Sequence, residues 1–220
     1  GVVYTKHEME TIASLAEEHD LFIIADEVYR EFVYDGLPYT SFMSMDGIGS
    51  RVILVDSISK RYSACGARIG IVASHNKEFM RLMLKFAQSR LCISTIDQVG
   101  AAALADTPPD YFSAVNAQYQ LRRDTVYDAL RSVPGVLCRK PTGAFYIMAK
   151  LPVRNAEDFA KFLLCDFDVN NETVMLAPAE GFYATPGLGR DEVRISYCID
   201  AEDIKKAIHI LKKGLEAYNG

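Results

Sequence analysis

Apolar residues recur along the chain with two periods, and the switches between them predict the order of elements. In residues 5–20, Met9, Ile12, Ala13, Leu15 and Ala16 share one side and acids the other, the spacing of an amphipathic helix that Thr5 can cap. Residues 21–25 and 52–55 are short apolar runs that read, after that helix, as successive strands of an α/β sheet. Residues 68–73 read as a third strand, so close to the second that a tight return is needed, which predicts one antiparallel strand. Residues 77–89 predict a helix with Phe79, Leu82, Met83 and Phe86 inward and its methionines filling core. Residues 95–105 predict another, whose small residues permit close packing.

The clearest break is Thr107-Pro108-Pro109-Asp110. Beyond it, residues 111–132 read as one long helix stopped by Val133-Pro134-Gly135. Shorter elements follow: strands in 143–149, near 174–177 and at 192–197, with helices at 156–165 and 201–218. That order predicts an α+β unit, helices covering one face of a small sheet. The expected domains are therefore residues 1–110 and 111–220.

Composition narrows the class. Half of the 220 residues are hydrophobic, 10% aromatic and 24% charged, enough for one large packed domain or two small ones. A net charge of -5, a pI near 5.4 and no dense Lys/Arg block argue against nucleic-acid binding. Cys65, Cys92, Cys138, Cys165 and Cys198 are scattered without a C-x-x-C pair, which suits reduced thiols in the cytoplasm rather than disulfides or zinc. His7, His19, His75 and His209 stand in unrelated contexts, so no metal is expected. No signal peptide opens the chain and no apolar run approaches the roughly 18 residues of a membrane span, so a soluble protein without a membrane partner is expected.

The stretch with chemistry follows the second strand: Asp56-Ser57-Ile58-Ser59-Lys60, then Ser63 and Arg68. Ligands of open α/β sheets bind just outside strand ends, so Lys60 flanked by hydroxyls and a guanidinium looks like an amine beside an anion site. A nearby cation lowers the pKa of a lysine and makes it a nucleophile toward carbonyls. Pyridoxal 5'-phosphate (PLP) needs all of this, with an aldehyde for the lysine, a phosphate for Ser and Arg, and a pyridine nitrogen that a carboxylate keeps protonated.

Ala25-Asp26-Glu27-Val28-Tyr29, Ser57-Ile58-Ser59-Lys60 with Gly66-x-Arg68-x-Gly70, Gly143-Ala144-Phe145-Tyr146 and Val193-Arg194-Ile195-Ser196-Tyr197 stand in an order and at spacings that resemble the class I aminotransferases, aspartate aminotransferase-like enzymes of PLP fold type I. The resemblance implies an α/β fold: part of the large PLP-binding domain, a mostly parallel sheet with helices, then the long helix as a bridge to an α+β small domain. It gives Asp26 to the pyridine nitrogen, as a buried carboxylate, and Tyr29 to the phenolic oxygen. Ser57, Ser59 and Arg68 go to the phosphate, and Lys60 to the aldehyde. Arg194 is open on the residues alone, since Val193, Ile195 and Tyr197 can form an inner row that leaves it facing solvent. The resemblance makes it a clamp for the substrate α-carboxylate. It also likens residues 181–189, a Gly-rich loop, to a segment that approaches the active site.

The resemblance further implies transamination between amino acids and 2-oxo acids by a homodimer. A fold-type I lyase of the C-S lyase kind, or a non-catalytic domain that keeps the fold, are the alternatives. Gly1-Val2-Val3-Tyr4 resembles the tail of the family's Asn-Pro-Thr-Gly turn, so the match is to the C-terminal part of such an enzyme. The rest of the cofactor site is then expected elsewhere, and the chain alone is expected to be inactive.

Overall fold

A computed structural model describes all 220 residues, which form two compact units, Val3–Ala114 and Gly1–Val2 with Val115–Gly220. The first unit opens with helix α1 (Lys6–Glu18). Its start is a capping box, in which Thr5 Oγ1 accepts from Glu8 N at 3.3 Å and the Glu8 carboxylate accepts from Thr5 N at 2.7 Å. Met9, Ala13 and Ala16 are buried as the spacing predicts, whereas Leu15, expected on the same side, is 47% exposed.

Strands β1 (Ile23–Asp26), β2 (Val52–Ser57) and β3 (Gly70–Ala73) form a sheet in that order. β1 and β2 run parallel with Asp26 opposite Val55, and β3 returns antiparallel with Ser57 opposite Gly70. The antiparallel strand expected from the tight return is thus present. Ala13 and Ala16 pack with Ile23, Ala25, Ile48 and Val52 as the core between helix and sheet.

Helices α2 (Lys77–Arg90) and α3 (Thr95–Ala103) follow, α2 capped by Asn76 Oδ1 accepting from Phe79 N at 2.9 Å. Here the expected packing fails. No residue of α2 is buried, and Leu82 and Phe86 remain 42% and 68% exposed. Periodicity marks which face of a helix is apolar but does not supply the surface that covers it.

Helix α4 (Pro109–Arg131) leads into the second unit, whose strands are β4 (Leu137–Cys138), β5 (Tyr146–Lys150), β6 (Ala177–Pro178) and β7 (Glu192–Ser196). They form an antiparallel sheet in the order β4-β5-β7-β6. Helices α5 (Ala156–Cys165) and α6 (Ala201–Asn219) start from Asn155 and Asp200, whose carboxamide and carboxylate oxygens accept the first backbone amides. Phe159, Leu163, Leu211, Ile147, Ala149 and Val193 are fully buried, each large side chain contributing about 1.5–3 kcal/mol. Arg123 of α4 is buried too, with its guanidinium donating to Pro141 O at 3.1 Å and to Asp124 Oδ1 at 2.9 Å.

Two strand expectations shift. The strand expected near 174–177 pairs only at Ala177 and Pro178. The strand expected in 143–149 starts at Tyr146, because Ala144 has φ 59 and cannot continue an extended run. All five cysteines are free. No group of His, Cys, Asp and Glu is arranged to hold a metal, and no helix is long and apolar enough to cross a membrane.

Candidate active site

Strand register decides what meets in the first unit. Because β1 and β2 are parallel, Asp26 and Ser57 finish their strands at the same end of the sheet, and β3 begins there opposite Ser57. The turn holding Ser59 and Lys60 leaves that end, and Arg68 enters it just before β3. One sheet edge therefore gathers a carboxylate, hydroxyls, an amine and a guanidinium. This is the position at which open α/β sheets bind ligands.

Local bonds shape the edge. Ser57 Oγ accepts from Ser59 N at 3.3 Å, and Ser63 N donates to Lys60 O at 3.2 Å, so the segment coils tightly around Lys60. Lys60 is half-buried while the neighbouring Ile58 is in the core. Arg68 is exposed in the left-handed region at φ 56, with Nη1 donating to Cys65 O at 3.1 Å. Ser63 also has a positive φ of 51. Two non-glycine residues held this way in one loop are a form of backbone strain that collects at functional sites.

Asp26 departs from expectation, since it is exposed rather than buried. β1 alternates Ile23 and Ala25 toward the core with Ile24 and Asp26 outward, so its last carboxylate falls on the outer row. Its Oδ1 accepts from Val28 N at 3.2 Å, closing the turn that carries Tyr29. Tyr29 is half-buried and meets Phe32 edge-to-face at 6.1 Å.

Two features escaped the sequence reading. Glu27 is buried, and its carboxylate accepts from the Tyr39 hydroxyl, from Ser41 Oγ at 2.8 Å and from Phe42 N at 3.1 Å. Burial first, and then the bond to the Glu27 carboxylate, raise the Tyr39 phenol well above its ordinary value. The signal was present, because Glu27 continues the inward row of Ile23 and Ala25. The second feature is a set of charges around Asp56 and Arg61. Asp56 and Arg61 are both buried and ion-paired, Arg30 Nη1 lies 3.7 Å from Asp56 Oδ2, and Glu31 Oε1 lies 3.4 Å from Arg30 and 3.9 Å from Arg61. Residues far apart in sequence build this set, and no periodicity announces it.

Arg194 lies in the second unit, on β7 opposite Met148 of β5. Val193 and Tyr197 are buried, so Arg194 projects from the other face, as their alternation requires. There its guanidinium lies 4.6 Å from the ring centres of both Tyr146 and Phe182, the latter from the Gly-rich loop. The cation of Arg194 is thus held against two aromatic rings, and its planar guanidinium has the shape that pairs with a planar anion. Tyr197 fixes the frame by donating its hydroxyl to Ala144 O at 2.9 Å and its amide to Phe145 O at 3.1 Å. The two C-terminal motifs thus form one local structure.

Comparison with known proteins gives the family of the chain. The model described as aminotransferase class I and II matches residues 1–211, and the chain belongs to that family. Among its relatives, an aspartate aminotransferase of Bacillus subtilis is 28% identical over 100% of this chain and 55% of its own length. The crystal structure of an aromatic aminotransferase from Pyrococcus horikoshii superposes with a TM-score of 0.83 at 30% identity, covering 99% of this chain and 57% of the other. An aspartate aminotransferase structure from Rhodobacter sphaeroides gives 0.88 at 26% identity, covering 100% and 55%. The chain spans about half the length of the curated relatives it matches.

Proposed function

We propose that this chain carries the lysine-bearing part of a PLP-dependent aminotransferase site, acting between amino acids and 2-oxo acids. One observation supports the reading: β1 and β2 finish with Asp26 and Ser57 at the same end of one sheet, and the segment that carries Lys60 and Arg68 leaves and re-enters the sheet there. The donor set fits the cofactor, pairing an amine for an aldehyde, hydroxyls and a guanidinium for a phosphate, and a carboxylate for a pyridinium. When bound, PLP supplies an electron sink that acidifies the α-carbon of the amino acid.

The chain's own residues do the rest. Ser57, Ser59 and Arg68 would hold the phosphate. Asp26 keeps the ring nitrogen protonated, and Tyr29 donates its hydroxyl toward the phenolic oxygen. With PLP bound, Lys60 Nζ would take the α-proton of the substrate as a general base and, as a general acid, deliver it to the cofactor carbon that carried the aldehyde. Arg194 grips the α-carboxylate with two N–H groups, orienting the bond that breaks. On this reading the unit Val3–Ala114 belongs to the cofactor domain and the second unit to the small domain. Full transamination requires the remaining site residues of the family, and the chain alone captures PLP weakly.

The test is selectivity rather than yield. The chain is incubated with PLP, reduced with borohydride and digested, and pyridoxyl-lysine is mapped by mass spectrometry. Lys60 is expected to be modified ahead of every other lysine, with that preference lost in Lys60→Ala. Modification spread evenly over surface lysines overturns the proposal.

A further inference from the structure

We infer that the buried Asp56–Arg61 ion pair, closed into a ring by Arg30 and Glu31, positions Lys60. The inference rests on the reading of Lys60 as the reactive amine, but not on the cofactor being bound.

Asp56 and Arg61 bracket the turn Ser57-Ile58-Ser59-Lys60 at its two ends. Their side chains are 4% and 6% exposed, so the pair is shielded from water and salt. Asp56 uses both oxygens, with Oδ1 accepting from Ser57 N at 2.7 Å and Oδ2 facing Arg61 and Arg30. Glu31 then joins the same two arginines from the turn after β1. Charges of alternating sign thus tie the turn that carries Tyr29 to the turn that carries Lys60.

The buried pair resists distortion, because moving Asp56 or Arg61 leaves an uncompensated charge in a dry environment, while Arg30 and Glu31, 38% and 33% exposed, close the ring on its solvent side. Arg61 follows Lys60 directly, and Tyr62 N donates to Ile58 O at 3.4 Å, so the backbone between the anchors is coiled. Drawing the Arg61 guanidinium into the interior fixes the orientation of the preceding Cα and with it the exit direction of the lysine. One detail argues for a role beyond stability. Arg61 Nε is buried without a hydrogen-bond partner, a cost that an apolar side chain at that position would avoid.

The experiment reads the Lys60 amine directly. The 220-residue chain and its Arg61→Met, Arg61→Lys and Asp56→Asn variants are pulse-acylated with isotope-coded acetic anhydride, and Lys60 is compared with exposed Lys77 of the same unit. In Arg61→Met and Asp56→Asn the Lys60:Lys77 rate ratio is expected to rise about threefold or more as the turn loosens locally. Arg61→Lys, which keeps the charge but not the two-armed reach, is expected to fall between. An unchanged ratio in a folded variant, or Lys60 and Lys77 accelerating together, overturns the inference. Asp56→Asn keeps the shape and the acceptor for Ser57 N, and it carries the test if Arg61→Met does not fold. Failure of PLP to select Lys60 sinks the functional reading while leaving the change in ratio intact, so the two failures are separable.

Discussion

The Tyr39 hydroxyl donates to the buried carboxylate of Glu27, the residue next to Asp26 at the end of β1. The bond makes the phenol harder to ionise, since burial and the adjacent negative charge both oppose a phenolate. Its folded pKa is above its unfolded value of about 10, so the associated stability is present below pH 10 and is lost as pH climbs. Absorbance titration at 295 nm is expected to show a tyrosine that ionises later than the others and only as alkaline unfolding begins. Glu27→Gln shifts that step to lower pH. Glu27→Ala strands three donors and costs about 2 kcal/mol in urea unfolding. A Tyr39→Phe variant with an unchanged titration curve would contradict the pairing.

Arg194 between Tyr146 and Phe182 predicts an asymmetric response to substitution. In a catalytically competent protein, Arg194→Ala is expected to raise KM for amino acid substrates about 10- to 100-fold, the worth of a charge-assisted contact. Arg194→Lys should recover little, because an ammonium cannot present two parallel donors to a carboxylate. Thermal unfolding of both variants moves only slightly. Equal KM values for Arg and Lys would mean that the planar contact is not used.

What the sequence made legible, and what it did not, separates by the range of the signal. Helix α5 was found at both ends, since its apolar face and the Asn155 cap are local features. The antiparallel β3 was legible because a short connection admits few topologies. The two-residue β4 has no period to read, and Asp26 was misplaced because a motif names a residue without saying which row of the strand it occupies. The ring around Asp56 and Arg61 depends on two turns meeting in space, which only the register of β1 and β2 brings about. Lys60 is proposed from local chemistry, whereas the charges around its turn depend on strand register.

The bare face of α2 makes a prediction opposite to the one its sequence suggests. A core phenylalanine truncated to a small residue costs about 3–5 kcal/mol. Phe86 is 68% exposed, so Phe86→Ser is expected to change unfolding free energy by less than about 0.5 kcal/mol. The same substitution should reduce binding of a hydrophobic dye and raise solubility, because Leu82, Leu84 and Phe86 together expose apolar surface. A large loss of stability on Phe86→Ser would mean that the helix is covered after all.

Gly214 sets the closeness of α5 and α6. A Cβ built there meets Leu163 Cδ2 at 2.5 Å and the Phe167 ring at 3.4 Å, and Leu163 is fully buried. Two effects compete in Gly214→Ala: the helix gains about 1 kcal/mol of intrinsic propensity, and the packing loses about 1–3 kcal/mol to overcrowding. Overcrowding wins because a fully buried Leu163 must shift to clear a 2.5 Å contact, and net destabilisation is expected in chemical denaturation. The sign is checked by shortening the partner. Leu163→Ala alone leaves a cavity and destabilises, yet combined with Gly214→Ala it should cost less than the sum of the two single changes, since the new methyl enters the space that leucine vacates. Strict additivity would show that the two positions do not share that space, and a stabilising Gly214→Ala would show that the helices can move apart.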